Sequence, residues 1–248
     1  MPTTEALRRP RSRQHPPAGR FLNAHAGLHT PERRGDLSME REQSLGEEIA
    51  NSVSHGVGFI AALCIAPFLL AHAAKAGGTG ATVGASVFMA AVVLQYGTSS
   101  MYHALARNRA KRVFRVIEHG AIFVLIAGTY TPFTLGVLRG AWGWTLLGII
   151  WVVAAVGVTL DSVTGLKHPI ASTAVYIAMG WLIVIAVRPL CLHVPRPGLA
   201  LLVAGGLAYT AGVTFYAAKR VRYAHFIWHL WVLAGTTCHF LAVLWYAT

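Results

Sequence analysis

Residues 223–248, YAHFIWHLWVLAGTTCHFLAVLWYAT, decide how this chain is read. The segment is long and apolar enough to cross a bilayer as a helix, which takes about 20 such residues. Yet it carries His225, His229 and His239, the first two one helical turn apart. An imidazole bound for hydrocarbon needs a partner. The segment therefore raises two questions: how many such helices the chain has, and what these histidines meet.

Six similar runs precede it, roughly 52–74, 81–103, 113–135, 142–161, 169–187 and 198–217, and the last run covers 224–246. Between them lie KAGGTG, ARNRAKR, LRGAWG, DSVTGLKHP, RPLCLHVPRPG and AKRVRY, the Gly, Pro and charged punctuation of turns. Of 248 residues 55% are hydrophobic and only 12% charged, against about 25% charged in an ordinary soluble domain. Of nine acids, seven lie at or before Glu48, leaving Glu118 and Asp161 for the rest of the chain. Strand alternation is absent, which excludes a β-barrel. The fold expected is all-α, an integral membrane bundle of seven transmembrane helices over 47–248, preceded by a disordered basic tail over 1–46. The tail lacks the apolar core of a secretory signal peptide. Met39 is an alternative start.

Lys and Arg set the orientation. One set of loops carries Arg107, Arg109, Lys111, Arg112, Arg115, Lys167, Lys219, Arg220 and Arg222, and Arg33, Arg34 and Arg41 of the tail join that side. The other set carries Lys75, Arg139, Arg188 and Arg196. Twelve against four places the N-terminus in the cytoplasm and, after seven crossings, the C-terminus outside. The expected location is the inner (plasma) membrane. The net charge of +12 is thus topological, since no basic face with interleaved aromatics accompanies it. Membrane lipids are the expected partners, and nucleic acid is excluded. Cys64, Cys191 and Cys238 sit in apolar runs at spacings that match no disulfide or metal pattern, and they read as buried thiols.

This topology brings polar residues together. Span 2 ends at the cytoplasmic face with His103, span 3 starts there with Glu118 and His119, and span 7 starts there with His225 and His229. Residues four apart share a helix face, so His225 and His229 can address one ion, with His103 as a third ligand. A catalytic zinc site has three protein ligands and an open position whose water has a pKa near ~7. Glu118 would hold or deprotonate that water, or donate a proton to a leaving group. Ser99, on the same face as His103, can orient the imidazole, polarise a carbonyl or bond the backbone.

Each residue also has a simpler reading. A lone histidine near an interface snorkels or bonds a neighbouring helix, and Ser99 and Ser100 can be small packing residues. Glu118 can complement a helix dipole, worth about 0.3–1 kcal/mol. An acid inside a span nevertheless costs about 2.5–3.5 kcal/mol on insertion scales, which marks it as functional. His55 fits either a packing role or a partner of the ligands. His119 faces about 100° away from Glu118 on a helix and is not expected at the same ion. His168 reads as interfacial. His239 lies about 15 Å beyond His229 along the helix and cannot share its site.

The stretches EEIANSVSHGVG, SSMYH, EHGAIFVLIAGTYTPF and HFIWHLWVLAG resemble the haemolysin III family. That family is the bacterial branch of the progestin and adipoQ receptor superfamily, which includes the adiponectin receptors. The resemblance spans residues 47–240 and leaves out the tail. It implies seven helices, an inside N-terminus and zinc near the cytoplasmic leaflet, held by His103, His225 and His229. The family's third-span acid, usually Asp beside the zinc-bound water, falls on Glu118, longer by one methylene. The serine of the S-x-x-x-H motif falls on Ser99. The superfamily includes ceramidase-like lipid amide hydrolases, and its bacterial members have been linked to membrane homeostasis.

Two functional classes lead. One is a zinc-dependent intramembrane hydrolase of a lipid amide or ester, with substrate entering laterally. The other is a non-enzymatic sensor, receptor-like or homeostasis protein with structural zinc, which would want a fourth protein ligand such as Glu118. A cytolytic protein fits poorly with constitutively integral spans. A transporter would need polar residues deeper in the membrane, where Gln95 and Thr129 are thin support. If translation starts at Met39, mass spectrometry of the native protein will detect no peptide from residues 1–38; one such peptide overturns that start.

Overall fold

The computed structural model describes residues 41–247. The Met39 start and most of the tail therefore lie outside the described residues. Eight α-helices follow in order: α1 Leu45–Ala76, α2 Gly78–Ala104, α3 Arg109–Leu135, α4 Ala141–Thr164, α5 Pro169–Trp181, α6 Val187–His193, α7 Arg196–Ala217 and α8 Ala224–Tyr246. A 3₁₀ segment, Leu182–Ala186, joins α5 to α6, and the three pieces form one crossing, Pro169–His193. Seven helical units are thus long and apolar enough to span a membrane, and no strand occurs among the described residues.

Local chemistry sets the helix ends. Ser44 caps α1 in a reciprocal box with Glu47, so the helix begins at Leu45, inside the segment expected to be tail. Asn108 caps α3 by accepting a bond from the Lys111 amide at 2.9 Å. Gly165, in the left-handed conformation, closes α4, and Pro169 opens α5. The 3₁₀ segment interrupts the fifth crossing, and Pro189 lies beyond it in the first turn of α6, where its missing amide proton is tolerated. Tyr130 bonds backbone groups on both sides of the junction between α5 and the 3₁₀ segment. Its hydroxyl donates to the carbonyls of Met179 (2.7 Å) and Gly180 (3.0 Å) and accepts from the Ile183 amide at 3.0 Å.

Helices α1 to α4 pack in sequence, α7 packs on α8, and α8 returns to α1, so the amino-terminal ends of α1 and α8 are neighbours. The α2–α3 pair approaches closely along Gly80 and Gly84. A Cβ at Gly80 would lie 2.6 Å from the Leu135 carbonyl oxygen, and one at Gly84 would lie 2.6 Å from Pro132 Cα. This small-xxx-small seam is how helices associate where lipid removes the hydrophobic drive. Large apolar residues such as Ile60, Phe68, Val152, Leu160 and Leu207 face outward, while Asn51, His55, Ser99 and Glu118 face inward. That pattern is the inverse of a soluble bundle, as a lipid exterior requires.

Gly84→Val is expected to destabilise the bundle by about 1–3 kcal/mol through overpacking. Gly148→Ala, whose Cβ would meet nothing within 4 Å, is expected to be neutral. Thermal unfolding of both variants in detergent checks this pair; equal melting temperatures would refute the seam.

Candidate metal centre

α2 ends where α8 begins. His103 therefore lies in the last turn of α2, beside His225 and His229 in the first two turns of α8. One ligand-capable atom from each histidine lies within 4.8 Å of the other two. Ring centroids are 5.0 Å apart for His103–His225, 5.2 Å for His103–His229 and 4.7 Å for His225–His229. The structure thus brings together the three residues expected from the sequence.

The Nε2 atoms of all three rings are buried without a hydrogen-bond partner. The opposite nitrogens explain why. His103 Nδ1 lies 2.7 Å from Glu48 Oε2, and a carboxylate only accepts, so Nδ1 carries the proton. Asn51 Nδ2, 3.5 Å from the same nitrogen, is itself a donor and bonds Gln43 Oε1 at 2.6 Å instead. His229 Nδ1 lies 3.2 Å from the Asn51 carbonyl oxygen and 3.0 Å from Ser54 Oγ. That carbonyl also only accepts, so in both rings the free lone pair sits on Nε2. An unpaired buried acceptor costs about 1–3 kcal/mol. One cation taking all three lone pairs removes the penalty, and the donor set suits a metal with three protein ligands and an open position.

Glu118 is buried and stands outside the three-histidine group. Its Oε2 lies 2.8 Å from His119 Nδ1, whose proton is shared with the Arg115 carbonyl oxygen at 2.9 Å. His119 is not part of the three-histidine group and serves as the partner of Glu118. Ser99 is fully buried, and its hydroxyl has no partner. His55 stacks on His229, with ring centroids 3.6 Å apart and planes 6° apart, and so packs directly on a candidate ligand. His239 Nε2 donates to the Leu202 carbonyl at 3.3 Å, far from the triad in sequence and partners. His168 stands at the start of α5.

Sequence reasoning missed the contribution of α1. Glu48, Asn51, Ser54 and His55 recur at spacings of three and four along one face of an otherwise apolar helix. That periodicity was the available signal, but Glu48 and Asn51 precede the first apolar run, 52–74, so a reading by hydropathy passes over them. Glu47, next to Glu48, ties the entry of α1 to that of α8. Glu47 pairs with Arg41, accepts from the Ser44 amide at 2.9 Å, and accepts from the Tyr223 amide at 2.8 Å. These bonds raise the Arg41 guanidinium pKa above its ordinary value. Tyr223, the residue before α8, is thereby held with φ at 56°.

An apolar cavity inside the bundle borders His55, the ring stacked on His229, and its lining includes none of the three candidate ligands. It is lined by His55, Ile122, Tyr176, Tyr209, Trp228 and His239 among others, and encloses about 960 Å³ of atom-free space, counting its open part. A second cavity shares Tyr130, Trp181 and His239 with it and continues past Val187 and Leu202. Tyr216 also lines the first cavity, with its ring 6.2 Å from that of His225.

The fold and polar interior define a multi-pass membrane protein of seven spans with a histidine cluster able to bind metal. The chain belongs to the haemolysin-III related family, whose model matches residues 43–240. It is 41% identical over 204 residues to "Hemolysin-3" of Bacillus cereus, covering 82% of this chain and 93% of that one. It is 39% identical over 203 residues to "Hemolysin-3 homolog" of Bacillus subtilis (strain 168), covering 82% and 95%. A more distant relative is "Monocyte to macrophage differentiation factor" of Homo sapiens, 26% identical over 155 residues, 58% of this chain and 62% of that one.

Purified protein is expected to carry one transition-metal ion per chain by elemental analysis, and His103→Ala, His225→Ala and His229→Ala are each expected to lose most of it. Equal metal content in all four preparations would remove the centre.

Proposed function

We propose that this protein is a zinc-dependent intramembrane hydrolase of a lipid amide or ester, with its active site just inside the cytoplasmic leaflet. The observation that carries this reading is the convergence of three unpartnered imidazole nitrogens in a bundle that also buries Glu118, with an apolar cavity bordering His55, the ring stacked on His229. His103, His225 and His229 would hold the metal. Three imidazoles suit several transition metals, and zinc is the one that combines an open fourth position with hydrolysis. Bound there, it would act as a Lewis acid toward a carbonyl and lower the pKa of water.

The chain's own residues account for the remaining requirements. Glu118 takes a proton as water oxygen bonds to the carbonyl carbon, then delivers it to the amine or alcohol as the C–N or C–O bond breaks. His119 holds the carboxylate during both transfers. The Ser99 hydroxyl, free of other bonds, donates to the carbonyl oxygen as negative charge develops there. The cavity takes the acyl chain. Of α5, only Met179 is fully buried, so the fifth crossing is the loosest wall and the natural side for lateral entry. The basic residues at the ends of α2, α4 and α7 lie on the same side as the histidines, which supports a cytoplasmic position for that side and an inner-membrane location for the chain. A structural-metal reading would want Glu118 as a fourth ligand, and its pairing with His119 speaks against it.

Zinc-loaded protein incubated with a panel of lipid amides and esters is expected to release fatty acid, to stop on chelation and to recover with zinc. Glu118→Gln is expected to keep the metal but lose about 10²–10⁴-fold in kcat/KM. A loaded protein with no turnover across the panel would overturn the hydrolase in favour of a non-enzymatic role. Dye release from vesicles in proportion to protein would favour the lytic reading suggested by the Bacillus cereus relative's name.

A further inference from the structure

We propose that Glu48 is the positioning residue of the metal centre, fixing the tautomer and orientation of His103 while Lys111 holds Glu48 from the other side. The inference rests on the metal-centre reading above. Glu48 divides its two oxygens between two partners. Oε2 accepts from His103 Nδ1 at 2.7 Å, and Oε1 accepts from Lys111 Nζ at 2.8 Å. Lys111 is itself fixed, because its ammonium also donates to the Leu105 carbonyl at 3.2 Å and lies 4.9 Å from the Tyr102 ring centroid. The carboxylate is therefore braced between α2 and α3. With both oxygens engaged, it cannot swing inward to compete for the cation.

The arrangement is selective. His229 is oriented by neutral groups of α1, the Asn51 carbonyl and the Ser54 hydroxyl. His103 alone of these two is oriented by a charged group. A carboxylate accepting the distal N–H of a metal-bound imidazole makes that ring a stronger donor and fixes its direction, and loss of such a partner lowers metal affinity by about 10–100-fold. Because Glu48 lies one residue beyond Glu47, which holds the Tyr223 amide, one turn of α1 sets the geometry of both helices that carry the histidines.

The test measures zinc affinity of the full chain in detergent by competition with a chromophoric chelator, together with the visible spectrum of the cobalt-substituted protein. Glu48→Gln keeps an acceptor but loses the charge, and Glu48→Ala loses both. Zinc affinity is expected to fall about 10–100-fold, most in Glu48→Ala, with one site still filled at saturation and with an altered cobalt spectrum. Lys111→Ala acts on the same carboxylate from outside and is expected to weaken zinc severalfold, which keeps the test open if the Glu48 variants fail to fold. Unchanged affinity and spectrum in the folded variants would overturn the proposal, as would a lowered melting temperature with unchanged affinity. A wild-type chain that takes up no zinc would instead overturn the metal centre itself, so the two failures are distinguishable.

Discussion

Three imidazole lone pairs face one another in a medium that offers them no proton. Water would satisfy those nitrogens at a surface, and here they are buried. The other nitrogens of His103 and His229 are committed to acceptors from α1, so these two rings cannot turn away or exchange tautomers without breaking those bonds. The polar face of α1, the antiparallel meeting of α2 and α8 and the close approach of α1 to α8 all serve to keep that arrangement in place. Remove the cation's place and the polar interior at this end has no physical rationale.

The bundle divides its work between halves. Helices α1, α2 and α3 are tightly joined through glycine seams and through Glu48, which bonds His103 of α2 and Lys111 of α3, and they carry His103, Ser99 and Glu118. The fifth crossing is discontinuous and exposes Val184, Ile185 and Val187. Under the proposed hydrolase reading, the tightly joined side would hold the metal and the loosely packed side would admit the acyl chain.

Much of this was legible in the sequence because a bilayer imposes simple rules. The count of seven crossings followed from apolar length and from the Gly, Pro and Lys/Arg breaks, and the convergence of His103, His225 and His229 followed from the parity of those crossings. The break within the fifth crossing was hidden, since LIVIA is as apolar as any helix and carries no Gly or Pro of its own. The start of α1 was misplaced because hydropathy does not see a capping box. The Glu48–His103 bond joins residues 55 positions apart, and only the packing of α1 on α2 reveals it. The Glu118–His119 pair defeated a helical-wheel argument because side chains of adjacent residues can curl toward each other even when their Cβ directions diverge.

One phenol has an outsized role. The Tyr130 hydroxyl bridges two carbonyls and an amide across the discontinuity of the fifth crossing, and its own helix is the one that carries Glu118. The Tyr130 hydroxyl thus ties the interrupted crossing to α3, so the two sides of the cavity that these elements form share one polar anchor.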